Sequence, residues 1–99
     1  MSEARVTEWR YFLSREVVAA RTWAKSGGIA VHENIFRFHG RLTCHLLAQD
    51  EAALFRAARL LGCRDEWFHR SRTPHFDLIE IYRERALILC GQIPAPGER

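Results

Sequence analysis

A chain of 99 residues has room for one hydrophobic core, since at this size only ~60–65% of the surface exposed by the unfolded form is buried. An apolar fraction of 47% with 27% charged residues excludes a disordered polar chain. No run reaches the ~18–20 apolar residues of a membrane span and no basic-then-apolar leader opens the sequence, so a cytoplasmic protein without a membrane partner is expected.

From Val6, the apolar residues Trp9, Phe12, Leu13, Val17, Ala20 and Trp23 recur every three or four positions. That period predicts an amphipathic helix over roughly 4–26, closed by Gly27 and Gly28. Trp9, Tyr11, Phe12, Val18 and Trp23 spread over a wider arc than one small core covers. A homodimer joined through this N-terminal helix is therefore expected, because a second copy would hide the excess.

The pattern then changes to alternation. Ile29 and Val31 alternate with Ala30 and His32, Phe36 and Phe38 with Arg37 and His39, and Leu42, Cys44 and Leu46 with Thr43, His45 and Leu47. Period two predicts short strands, with Gly40 at a turn or bulge. It also points Cys44 and His45 in opposite directions, which disfavours a Cys/His dyad.

Asp50 is the expected N-cap of a second helix carrying Leu54, Ala57, Ala58 and Leu61 and ending at Gly62. Residues 63–76 read as a short strand and a loop. Asp77 and Glu80 have capping-box spacing and open a predicted third helix, with Ile79, Tyr82, Ala86 and Leu89 inward and Gly91 at its end. The fold expected is α+β: an N-terminal helix (1–28), then an α+β unit of short strands with two further amphipathic helices (29–91), then a flexible tail (92–99).

The segments His39-Gly40-Arg41-Leu42, His45-Leu46-Leu47-Ala48 with Asp50, Trp67-Phe68 and His75-Phe76-Asp77-Leu78 together resemble a small bacterial and phage family known only as a domain of unknown function. The resemblance covers roughly His39 to Gly91. It implies an α+β fold and makes His45, His75 and Asp77 part of a family pattern, while supplying no activity. Phe76 stands where that family usually has tyrosine, so a role needing the hydroxyl is lost, and the N-terminal segment lies outside the resemblance.

Two imidazoles and a carboxylate admit several uses. His45, His75 and Asp77 can ligate a divalent metal such as zinc, iron or manganese while leaving positions open, as metal-dependent hydrolases and nucleases require. His45 and His75 can also serve as base and acid on a phosphodiester. The structural alternative makes Asp77 a helix cap, His75 a loop residue and His45 a hydrogen-bonded strand residue. His32, His39 and His69 stand outside the set.

Arg41, Arg70 and Arg72 flank the same segments and would form an anion-binding rim with the third helix's N-terminus. Lys25 is the single lysine among 15 basic residues, and arginine's planar fork suits phosphate and carboxylate. The lead expectation is thus a binding domain in which Arg41, His45, Arg70, Arg72, His75 and Asp77 recognise an anionic small molecule or nucleic acid. Trp67 and Phe68 are core residues on this reading. Cys44, Cys63 and Cys90 are an odd number without paired spacing, which signals neither a disulfide framework nor a cysteine-built zinc site.

Overall fold

Trp9, Arg10, Tyr11 and Phe12 are extended rather than helical. The computed structural model describes residues 8–97, and strand β1 (Trp9–Phe12) pairs in parallel with β2 (Ile29–Phe38), in the register Trp9 with Ile29 through Phe12 with His32. Helix α1 (Val17–Lys25) makes the crossover that a parallel pair needs. The predicted helix over 4–26 is therefore corrected: residues 1–7 lie outside the described residues, 9–12 form a strand, and the helix begins at Val17.

The physical reason lies in the layers. A strand between two layers is apolar on both faces and loses its alternation. Trp9 and Tyr11 pack on one core cluster while Phe12 belongs to another with Ala20, Ala24, Ala30 and Leu47. That arrangement also absorbs the wide apolar arc. Trp23 packs on the second cluster, and of the five side chains that suggested a dimer only Val18 is left exposed.

Gly27, at φ +107°, ends α1 in the left-handed region. Gly28 lets the chain pass the Trp23 indole, where a Cβ would stand 2.2 Å from Nε1. β2 then runs ten residues into β3 (Arg41–Leu47) through a two-residue turn with positive φ at His39 (51°) and Gly40 (75°). Such turns match the twist of an antiparallel hairpin. The register shifts between Glu33 and Arg37. The expectation of short strands is overturned here as well, since residues 29–38 form one long strand.

Asp50 caps helix α2 (Glu51–Leu60) as expected, its Oδ1 accepting the Ala53 N–H at 2.9 Å. After a 3₁₀ turn (Asp65–Trp67) come β4 (Phe68–His69), β5 (His75–Leu78) and helix α3 (Glu80–Leu89). Among the described residues the sheet has five strands in the order β1-β2-β3-β5-β4, antiparallel except for β1 with β2.

The capping-box reading of Asp77 is also corrected. Pairing of β5 with β3 continues to Leu78, the N-cap is Ile79, and no side chain among the described residues caps α3. Leu87 rather than Leu89 faces inward, together with Ala86. Helices α2 and α3 cover the face bearing Val31, Cys44, Leu46, Phe76 and Leu78. The large side chains that are fully buried there, Phe76 and Leu46 among them, each contribute about 1.5–3 kcal/mol. Helix α1 packs on the other face. No helix among the described residues is long and apolar enough to cross a membrane.

Candidate metal centre

Residues directly opposite on antiparallel strands share a face. His45 in β3 lies opposite His32 in β2 and opposite Asp77 in β5. His75 precedes Asp77 by two positions and so points the same way, and β4 sets His69 opposite His75. Four neighbouring strands thus deliver four imidazoles and one carboxylate to the α1 face. The rings form a continuous row, with centroids 5.9 Å apart for His32 and His45, 4.8 Å for His45 and His75, and 5.0 Å for His75 and His69.

Asp77 is the point of convergence. His45 Nε2 is 3.5 Å and His75 Nε2 3.4 Å from its Oδ1, and His69 Nε2 is 3.2 Å from its Oδ2. One ligand atom each from His45, His75 and Asp77 lies within 4.8 Å of the other two. His75 Nδ1 is 2.9 Å from the Thr73 carbonyl, which only accepts hydrogen bonds. Nδ1 therefore carries a proton, and Nε2 faces the carboxylate with either a second proton or a lone pair.

The electrostatics separate the two ligand imidazoles. Burial pushes the His45 pKa below the ordinary imidazole value, and the neighbouring His75 adds to that. The interaction with the Asp77 carboxylate holds the His75 pKa up against the opposing effect of burial. His75 in turn holds Asp77 below the ordinary carboxylate value. Side-chain exposure rises from 18% at His75 and 30% at His45 to 40% at Asp77 and 55% at His69, so the cluster opens to solvent on its Asp77 and His69 side.

The arginines do not gather around this point. Arg41 lines a groove with Leu42, Ile81 and Arg83 on the α3 side of the sheet. Arg70 pairs with Glu51 and lies over the Phe68 ring, 5.1 Å from its centroid. Arg72 lines a groove beside α1 with Arg21 and Thr73. Phe68 packs with Phe55 and Phe76, and Trp67 against Tyr82. Cys44 is on the core face, where burial pushes its thiol up to about 12, too high for a nucleophile at neutral pH.

Sequence reasoning missed two further features. His69 and His32 join the row only through strand pairing. On the opposite face, Glu33 Oε1 accepts from Tyr11 Oη at 2.6 Å and Arg83 Nη2 at 2.9 Å. Alternation along β2 puts Glu33 on the face opposite His32, but nothing local in the sequence points to Arg83 as its partner.

Residues 29–96 match the family model described as "Protein of unknown function (DUF4031)". The chain belongs to this family. The DUF4031 match begins at Ile29, upstream of His39, and takes in the whole imidazole row with Asp77, while β1 and α1 precede it. No curated protein and no solved structure matches the chain.

Proposed function

We propose that this DUF4031 domain holds one divalent first-row transition ion, with zinc the expected occupant, through His45 Nε2, His75 Nε2 and an Asp77 oxygen, and uses it for metal-assisted hydrolysis. The observation that carries the reading is the spacing around Asp77 Oδ1. A charge-assisted N–H···O bond spans about 2.7–2.9 Å, shorter than the 3.4 and 3.5 Å found here. Two ligand atoms of a tetrahedral zinc site, each ~2.0–2.2 Å from the ion, stand ~3.3–3.5 Å apart. The separations suit a shared cation better than a shared proton.

The supporting groups suit it too. Thr73 fixes the His75 ring by accepting from Nδ1, and His69 can donate to Asp77 Oδ2, leaving Oδ1 for the ion. Outer partners of this kind orient metal ligands and are worth about 10–100-fold in affinity. Three protein ligands would leave the ion room for a further ligand, and the greater exposure of Asp77 and His69 supports access from solvent. An ion held by His45, His75 and Asp77 would supply Lewis acidity there. Nitrogen and carboxylate donors without thiolate suit zinc, iron and manganese alike. Zinc leads because the two edges that meet at Asp77 Oδ1 match its tetrahedron, the three ligand atoms together lying within 4.8 Å of one another.

Elemental analysis of the purified protein, with titration of the apoprotein by Zn²⁺ and Co²⁺, tests the reading. The expected result is about one ion per chain, visible Co²⁺ absorption of the tetrahedral type, and loss of both in His45→Ala and Asp77→Asn. Wild-type protein that takes up neither ion would end it.

A further inference from the structure

We propose that the groove lined by Arg21, Lys25, Leu47, Arg72, Thr73 and Pro74 binds a phosphate group of the molecule hydrolysed at the His45–His75–Asp77 centre. The inference rests on the metal reading and names its substrate class.

Charge comes first. Arg21, Lys25 and Arg72 form no ion pair among the described residues. Two carboxylates also reach the groove, and both are engaged: Asp50 caps α2 through Oδ1, and Glu51 pairs with Arg70. Three cations without an ion pair therefore face one carboxylate, Asp50, which leaves the concavity with an excess of positive charge. Guanidinium groups meet phosphate oxygens through two parallel hydrogen bonds. The groove holds about 310 Å³, at the lower end of small-molecule sites, and so has room for a phosphate with part of what it is attached to.

Position comes second. Thr73 belongs to both places: its carbonyl meets His75 Nδ1 at 2.9 Å, and its hydroxyl accepts from Arg21 Nη2 at 3.4 Å. Leu47 follows His45 by two residues on the same face of β3, a step of ~7 Å. A molecule with a phosphate in the groove can therefore present a second, hydrolysable group to the ion. Diphosphates, phosphorylated small molecules and adjoining nucleotides all offer that arrangement. The chemistry shared by these sources is the phosphate.

The test is isothermal titration of the zinc-loaded full chain with inorganic pyrophosphate, a nucleoside 5′-monophosphate and a short single-stranded oligonucleotide. The same titrations are made on Arg21→Gln/Arg72→Gln and on Lys25→Gln, with zinc content and circular-dichroism melts measured in parallel. Saturable binding by the wild type, weakened at least ~10-fold in the double variant with zinc content and melt unchanged, is the expected result. Tightest binding by the oligonucleotide identifies nucleic acid as the source, and tightest binding by the monophosphate or pyrophosphate identifies a small molecule. Equal affinity in wild type and double variant, or no binding by the zinc-loaded wild type, overturns the proposal. Loss of pyrophosphate binding in the double variant of a protein that takes up no zinc keeps the groove and removes the metal reading.

Discussion

Zinc added at a hundred times its dissociation constant is expected to raise the melting temperature by about 10–20 °C. Binding to the folded state alone contributes RT ln(1 + [L]/Kd), ~2.7 kcal/mol at that excess, and each kcal/mol moves a domain of this size by roughly 4–8 °C. Asp77→Asn takes away the charged member of the ligand set and is expected to reduce the shift to under ~2 °C. His39→Ala, in the hairpin turn and outside the set, is expected to keep all of it. The pH dependence is specific too. The ligand imidazoles must be neutral to bind. His75 is held up by Asp77, whereas burial keeps His45 neutral to lower pH. Just below the ordinary imidazole value of ~6.5, one proton rather than two competes with each ion. The logarithm of the affinity then falls by about one for each pH unit, which is ~1.4 kcal/mol. Differential scanning fluorimetry across pH measures both effects. A wild-type-sized shift in Asp77→Asn would refute the reasoning.

Two predictions concern the scaffold. Glu33→Ala leaves Arg83 and Tyr11 without their acceptor in a site where the Arg83 and Glu33 side chains are 21% and 11% exposed. A loss of about 3–5 kcal/mol is expected in urea melts, and Glu33→Met with Arg83→Met is expected to recover much of it. Gly28→Ala forces the Trp23 indole aside, at about 1–3 kcal/mol, and is expected to alter Trp23 fluorescence because the ring and its Nε1 contact to the Glu8 carbonyl must move.

What could be read in advance followed the range of the interactions. Helix α2 was legible because its cap and apolar stripe are local: Asp50, Ala53 and Leu54 are chain neighbours. His45, His75 and Asp77 stood out as a set, and the sheet does bring them together. The strand Trp9–Phe12 was not legible, because helical spacing and a strand flanked by two apolar layers place apolar residues at the same positions. Asp77 looked like a cap since D-x-x-E is a local signal, and the pairing with β3 that overrides it is not local. His32 was hidden by the hairpin's irregularity. Continued from Phe38 and Arg41 without a shift, the ladder would set His32 opposite Leu47, and only the slip between Glu33 and Arg37 sets it opposite His45. His69 depended on a pairing of two residues, too short to leave a period.

The brevity of β4 has its own consequence. His45 sits on a strand paired on both sides and Asp77 is laddered opposite it, whereas His69 is carried by two residues at the outer border of the sheet. Border segments open at a small fraction of the free energy needed to unfold the whole domain. Of the imidazoles around Asp77, His69 is therefore the one the sheet holds least, while the β3–β5 ladder keeps Asp77 opposite His45.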